Sequence, residues 1–504
     1  MFGLRAPQVL EALSGGESVT AVRANPAKIS PEALRPRFAC AGDAVPWRDD
    51  AFYLEERPVF SLDPLLHAGA YYVQDPAAMF VGSVADTVIA SENRPLKVLD
   101  LCAAPGGKST CLAAALGAGD LLVANEVIGS RASILAENMV KWGSANTIVT
   151  NNDPKDFARL DGSFDIILAD VPCSGEGMFR KDAGAVAEWS PENVQLCAAR
   201  QRRIIADAWD SLREGGWLIY STCTFNSSEN DDNVEWICRG LGAEVVKASD
   251  VEMPAPDAEL RSFSAPGQGA NDTGALPQTP PLQPSYPTCQ PCSASASACR
   301  RAVPYAELLY ALSRRANAIE TKYGLQFAPG ITRGEGQYVA LMRKSAPAAS
   351  SAKSVRRDKN PKTVKPGKSV KCDWVMPGMN CYEVETSAGK MLKAYPAAIE
   401  NDIRSIESNL KVIRSGVAVA SVKGRDLIPQ ADLALSQAFN RDSFPTVELT
   451  RDQALRFLRC EALQLHDAPK GFITVTFEQL PLGFVKNLGP RANNLFPQSW
   501  RLRM

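Results

Sequence analysis

The sequence predicts an α/β fold: a mostly parallel sheet covered by helices on both faces, with an N-terminal segment before it and a small α+β domain after it. Between about residues 96 and 225, short apolar runs alternate with stretches of helical length and periodicity. Strands joined by helical crossovers must run parallel, and a sheet so covered is apolar on both faces. The turns that follow the strands collect small residues, carboxylates and thiols, as the ligand-binding edge of an open sheet does.

Taken in order, KVLDL (97–101) reads as a strand and GGKSTCLAAALG (106–117) as a helix. LLVANE (121–126) is the next strand, and GSRASILAENMVKWG (129–143) is a helix closed by Gly143. NTIVT (146–150), FDIILAD (164–170) and WLIYST (217–222) are further strands. The helix before WLIYST has Ser190 as its cap, Pro191 in its first turn and Gly215–Gly216 as its end. Val194, Ile205, Ala208 and Leu212 give that helix its apolar stripe. The first 90 residues suggest helices at the start and an extended segment around AFYLEERPVF (51–60).

Two stretches interrupt this order. Residues 264–299 are rich in Pro, Ser and Ala and nearly uncharged, which reads as a flexible insertion. Residues 345–371 carry eight Lys/Arg against the single Asp358 and read as a basic linker able to track RNA phosphates. Beyond it, a helix at 450–459 and the strand GFITVTF (471–477) fit a compact α+β domain. The expected division is therefore 1–91, a central domain at 92–344 with its insertion, the linker at 345–371, and 372–504.

Bulk properties narrow the function classes. At 504 residues the chain exceeds a single core. Lys and Arg (55) balance Asp and Glu (56), so any polyanion must be met by local patches and not by net charge. No run of about 18 apolar residues occurs, and MFGLRAPQVL lacks the pattern of a secretory signal. A cytoplasmic protein with no membrane partner is expected. Thirteen cysteines spread over strands, helices and loops then read as free thiols. CQPC (289–292) lacks a nearby His or fourth cysteine, so no metal is assigned, and His67 and His466 receive no role.

The chemistry concentrates at the strand ends. VLDLCAAPGGKS (98–109) is a strand, a small-residue turn and a helix start. Small residues admit close approach of a ligand, and the helix N-terminus offers N–H groups to an anion. The spacing matches neither GxGxxG nor the Walker pattern. Glu126, at the end of the next strand, is placed to hold two ribose hydroxyls, and Asp153 to accept from an adenine amino group. An adenosine cofactor with a small anionic end is implied, and S-adenosylmethionine meets that description. ADVPCSGEGMFR (169–180) brings Asp170 and Cys173 to the same edge, and YSTCTFNSSEND (220–231) brings Cys223.

One reaction needs two thiols and a carboxylate beside a sulfonium. Carbon 5 of cytosine is a poor nucleophile until a thiolate adds at carbon 6, and a carboxylic acid at N3 favours that addition. A second thiolate assists elimination once the methyl is in place. Either cysteine fits either role on chemistry alone.

CAAPGGKS, ADVPCSGEGMFRK, YSTCT and the upstream YYVQDPAAM (71–79) resemble the Sun/nucleolar-protein family of RNA (cytosine-5) methyltransferases. RANPAKIS (23–30) looks like that family's N-terminal RNA-binding segment, and LPLGFVKNLGPRANNLFPQSWRLR (480–503) like the extra domain of its bacterial ribosomal small-subunit methyltransferase F-like members. The resemblance implies a Rossmann-like S-adenosylmethionine-dependent sheet flanked by an N-terminal RNA-binding segment and a C-terminal α+β RNA-binding domain. It implies cofactor contacts from Cys102, Ala103, Ala104, Pro105, Gly106, Gly107, Lys108, Glu126, Asp153 and Asp170. It makes Cys223 the nucleophile and Cys173 the group that releases product, with Asp170 beside them. The implied substrate is a cytosine in 16S-type ribosomal RNA, free or in a small-subunit particle, and the protein a monomer. Competing readings are a transfer RNA, DNA or small-molecule methyltransferase, or a non-catalytic RNA-binding or assembly factor on the same fold. The chain departs from the family at the 264–299 insertion and at FAPGITR (327–333), where members often carry a histidine.

Overall fold

The computed structural model describes residues 2–15, 17–248, 305–345, 367–386 and 389–503. The 264–299 insertion with Cys289 and Cys292, and most of the basic linker, lie outside the described residues.

A ten-stranded sheet forms the centre. Its strands are β1 (Lys97–Asp100), β2 (Leu121–Asn125), β3 (Thr147–Thr150), β4 (Phe164–Asp170), β5 (Leu212–Thr222), β6 (Ala243–Val246), β7 (Ile319–Glu320), β8 (Leu325–Phe327), β9 (Gln337–Lys344) and β10 (Val412–Arg414). They lie in the order β7-β8-β9-β5-β4-β1-β2-β3-β10, with β6 against β9. The pairs within β3-β2-β1-β4-β5 are parallel, and β9 joins β5 antiparallel. Every residue of β2 and β3 is buried, because helices cover both faces and leave no solvent side for polar residues to alternate onto. One core, with Phe80, Leu112 and Leu135, covers one face, and another, with Phe157, Ile205 and Tyr220, covers the other. The sheet expected from the sequence is therefore present, extended by an antiparallel flank.

The glycine pair 215–216 does not end a helix. The helix Pro191–Ala208 is capped by Ser190, whose side chain accepts from the Asn193 N–H, and it stops at Ala208. Leu212 already belongs to β5. Phe164 lies opposite Leu212 but Ile166 opposite Trp217, so β5 bulges between them. Gly215 sits there at φ +67°, and a Cβ on Gly216 would lie 3.0 Å from the Asp165 carbonyl oxygen. Only glycine lets the bulged backbone pass so close to β4.

In the C-terminal part, a five-stranded sheet spans Lys368 to Pro429 and a four-stranded one Thr446 to Asn494. The helix Arg451–Leu458 starts with a capping box between Thr450 and Gln453, and Gly471–Phe477 is a strand, both where the sequence puts them. The two ends of the chain share a core: Val22, Phe52 and Tyr71 pack with Phe457, Ile473 and Phe496.

Arg23, Asn25 and Lys28 of RANPAKIS point inward. Arg23 is fully buried, donates to Thr110 Oγ1 at 2.6 Å and to Gln74 Oε1 at 3.1 Å, and lies 4.7 Å over the Trp142 ring. Asn25 donates to the carbonyls of Gly69 and Trp142, and Lys28 to those of Ala68 and Lys141. These three side chains fasten the segment to the central domain. Among the described residues, no helix is long and apolar enough to cross a membrane.

Candidate active site

Asp170 lies opposite Ser221 in the parallel β4–β5 ladder, so the residues just past it emerge side by side. Cys173 and Cys223 meet there, their Sγ atoms 3.1 Å apart. Both are free thiols, and the separation is a hydrogen bond, well beyond the ~2.05 Å of a disulfide.

Two buried glutamates hold the loops that carry the sulfurs. Glu229 accepts from the Ser174 N–H at 3.0 Å, Gln201 Nε2 at 2.7 Å and Asn226 Nδ2 at 2.7 Å. Glu176 accepts from the Phe225 N–H at 2.7 Å, the Asn226 N–H at 3.0 Å and Trp189 Nε1 at 2.9 Å. Each glutamate belongs to one cysteine's loop and binds the other's. Gly177 completes the tie, its N–H donating to the Cys223 carbonyl at 2.7 Å; a Cβ there would lie 2.6 Å from that oxygen. A carboxylate in a loop of Ser, Asn and Gly ordinarily reads as surface. The available signal was its place just after each cysteine.

Asp170 is the hub of the polar contacts. Lys108 Nζ donates to its Oδ2 at 2.8 Å, and Ser221 Oγ donates to its Oδ1. Gln337 Nε2, brought alongside by the β9–β5 pairing, donates to Ser221 Oγ at 3.1 Å and to Asp170 Oδ1 at 3.4 Å. Burial, the largest single influence, would lower the pKa of Lys108, but the Asp170 carboxylate, Cys223 and Asp100 together outweigh it and the ammonium is held above its ordinary range. The Cys173 thiol is pushed well above the usual thiol range, first by its hydrogen bond to Cys223 and then by burial. Burial likewise raises Cys102, whose thiol is no candidate for attack.

The glycine-rich turn follows β1. Gly106 adopts φ +116°, leaving the helix Gly107–Ala115 without a side-chain cap. Arg131 Nη2 donates to the Ala104 carbonyl at 2.9 Å and Asn138 Nδ2 to that of Pro105 at 2.8 Å, so the turn is fixed from behind. Glu126 is buried and accepts from the Ile128 N–H at 2.9 Å. Beside it Val127 and Ile128 stay about half exposed, an apolar surface that the sequence reading missed. Asp153 caps the turn at Pro154 and meets Arg203 Nη1 at 3.3 Å. The structure thus pairs Lys108 with Asp170 and brings Cys173 and Cys223 into contact just past β4 and β5, and sets Glu126 and Asp153 just past the ends of β2 and β3.

Asp100 is a further buried acid of this edge. Its Oδ2 accepts from Ser109 Oγ at 2.7 Å, while Oδ1 has no partner. Burial is the main force pushing its carboxyl up to about 7, against the bond from Ser109. Relative to an ordinary carboxyl near 3.8, the folded state holds the extra proton between about pH 4 and pH 7. Stability therefore falls as pH rises through that window, and the loss is complete above it. Asp100→Asn is expected to stabilise the protein by about 1–3 kcal/mol at pH 8 and to gain little at pH 4. Thermal melts at the two pH values check this, and an equal gain at both contradicts it.

Comparison with known proteins places the chain in one group. A family model described as 16S rRNA methyltransferase RsmB/F matches residues 87–264. The N-terminal domain of 16S rRNA methyltransferase RsmF matches 1–76, and the methyltransferase RsmF PUA domain 444–502. The ribosomal RNA small subunit methyltransferase F of Klebsiella pneumoniae (strain 342) is 30% identical over 469 residues, covering 90% of this chain and 83% of the relative. That of Salmonella agona (strain SL483) is 28% identical over 492 residues, covering 95% and 89%. The crystal structure of PH0851 superposes with a TM-score of 0.50 at 16% identity over 68% of this chain and 63% of that one, a likeness of fold alone.

Proposed function

This chain belongs to the ribosomal RNA small subunit methyltransferase F family, and we propose that it methylates carbon 5 of a cytosine in small-subunit ribosomal RNA through a covalent bond from Cys223 to carbon 6. The observation that carries this reading is the pair of sulfurs 3.1 Å apart, held beside Asp170 and Lys108. No simpler methyl transfer needs two thiols.

The residues present fit S-adenosylmethionine. The uncapped N-terminus of the helix Gly107–Ala115 leaves its first-turn N–H groups for a carboxylate. Buried Glu126 and part-exposed Asp153 are assigned to ribose and adenine, with Val127 and Ile128 against the apolar face of the base. Cys102 through Lys108 and Asp170 line the remainder. When bound, the cofactor supplies the electrophilic methyl group that carbon 5 accepts.

The chain's own groups do the rest. The family resemblance makes Cys223 the attacking sulfur, its thiol proton passing to solvent as the bond to carbon 6 forms, with Cys173 against it at 3.1 Å. As the Cys223–C6 bond forms, the ring electrons move to carbon 5, and Lys108 and Asp170 hold a proton at the N3 edge. Once Cys223 is a thioether, it no longer holds the Cys173 thiol in the hydrogen bond that, with burial, keeps it protonated. Cys173 then releases its proton to solvent and takes the one on carbon 5. The electrons of that C–H bond re-form the C5–C6 double bond, and the Cys223–C6 bond breaks with its pair leaving on the Cys223 sulfur. A stacked cytosine must first be turned out of its helix. The flanking regions 1–91 and 372–504 and the basic linker are assigned to holding the RNA for this.

Two assays test the proposal. Calorimetry with S-adenosylhomocysteine should show binding, and labelled cofactor should mark ribosomal RNA or small-subunit particles, with bisulfite sequencing reporting 5-methylcytosine. Absence of cofactor binding would leave a non-catalytic RNA-binding protein. Label confined to transfer RNA or DNA would overturn the substrate.

A further inference from the structure

A strand from the C-terminal part reaches into the loops assigned above to the nucleoside. β10 pairs antiparallel with β3, Val412 opposite Thr150 and Arg414 opposite Val149. Lys411, just before β10, meets the loop just after β3. The Asn151 N–H donates to the Lys411 carbonyl at 3.0 Å. The Lys411 N–H donates to Asn152 Oδ1 at 2.9 Å, and Asn152 Nδ2 donates back to the Lys411 carbonyl at 3.0 Å. The Lys411 ammonium donates to Asn151 Oδ1 at 2.7 Å. A side-chain amide closing both bonds with one backbone unit acts as an extra rung, carrying the β3–β10 ladder past the end of β3.

The two asparagines carry the tie onward. Asn151 Nδ2 donates to the carbonyls of Glu126 at 2.8 Å and Val127 at 2.9 Å. The Asn152 N–H donates to Asn125 Oδ1 at 3.0 Å, and Asn125 Nδ2 donates to the Asn152 carbonyl at 3.0 Å and the Leu101 carbonyl at 3.2 Å. Asp153 is the next residue. The segments that present Glu126 and Asp153 are thus tied to each other directly by Asn151, Asn152 and Asn125, and Lys411 grips both Asn151 and Asn152 from the other side.

Docking of the C-terminal region does not need this contact. Arg414, oriented within the C-terminal region by Asp432, is bonded to Thr147 Oγ1 at 2.9 Å, and the Gln437 N–H donates to the Gly143 carbonyl at 2.9 Å. Those anchors lie along β3 and behind it, away from the loop. What the Lys411 contact adds is the position of the loop itself.

We propose that Asn151 and Asn152, clasped by Lys411, are positioning residues that set the spacing of Glu126 and Asp153, making the C-terminal strand part of the cofactor site. This rests on the reading of those two acids as nucleoside ligands. The same site is then open to influence from the region assigned to RNA, since β10 belongs to it.

The test uses the full chain. Asn152→Ala is expected to raise the Kd for S-adenosylhomocysteine and the KM for S-adenosylmethionine by about 5–30-fold, with kcat within about two-fold. Lys411→Ala removes an exposed side chain that folding does not require, and should raise the same constants by about 2–5-fold. Thr450→Ala, which breaks the cap of the helix Arg451–Leu458, provides the control: a lower Tm with Kd unchanged. Unchanged Kd in both the Asn152 and Lys411 variants, with the wild type binding normally, overturns the positioning role alone. Failure of the wild type to bind overturns the cofactor reading and this inference with it.

Discussion

Alanine at position 173 is expected to leave the protein joined to its RNA. With Cys223 intact, addition at carbon 6 and methylation of carbon 5 proceed, but no group remains to take the carbon 5 proton. The product should persist as a band that survives denaturation, and turnover should fall by about 10²–10⁴-fold, the range for loss of a positioned base. Alanine at 223 is expected to remove the adduct altogether and cut turnover by about 10⁴-fold or more, because no bond to carbon 6 can form. The asymmetry follows from the separate roles proposed for the two sulfurs, nucleophile and base, which lie 3.1 Å apart. An adduct in the Cys223 variant and none in the Cys173 variant would exchange the roles.

Asp170→Asn should have an effect of similar size by a different route. Asparagine keeps the shape and an acceptor for Ser221 and Gln337 but loses the charge that faces Lys108 at 2.8 Å. Burial, the strongest influence on Lys108, then acts unopposed by its nearest carboxylate, and the ammonium releases its proton at lower pH than in the wild type. Single-turnover rates should fall by about 10²–10⁴-fold. The alkaline limb of the pH–rate profile should also move to lower pH. A uniform loss of rate with an unmoved profile would show that the carboxylate serves only as scaffold.

Much of the catalytic sheet was legible because burial on both faces writes itself as unbroken apolar runs. β1 to β4 fall where LDL-, LVA-, TIV- and IIL-type runs place them, and strand ends locate Asp170, Cys173 and Cys223 on one edge. Gly215–Gly216 misled because a glycine pair after a helical pattern and a glycine pair in a bulge look alike until the register with β4 is known. Glu176 and Glu229 were invisible for another reason. Their partners come from the opposite loop, and only packing reveals that the acids are buried.

Long-range pairing was the largest gap. Nothing local in VIR (412–414) announces that it extends a sheet whose nearest strand lies at 147–150. Nor does composition reveal that Val22 and Phe52 share a core with Phe457 and Ile473. The basic and polar residues of RANPAKIS suggest phosphate contacts by their chemistry. In the fold Arg23 and Lys28 are turned to carbonyls, a hydroxyl and an indole ring.

Peptide mapping of a trapped complex decides the matter most directly. Ribosomal RNA transcribed with 5-fluorocytidine, incubated with the wild-type protein and S-adenosylmethionine, cannot lose its carbon 5 substituent as a proton, so the bond to sulfur should freeze in place. Digestion and mass spectrometry should then find the methylated fluorocytidine on the peptide containing Cys223. Finding it on the Cys173 peptide, or finding no bonded nucleotide while ordinary RNA is methylated normally, would contradict the covalent two-thiol chemistry.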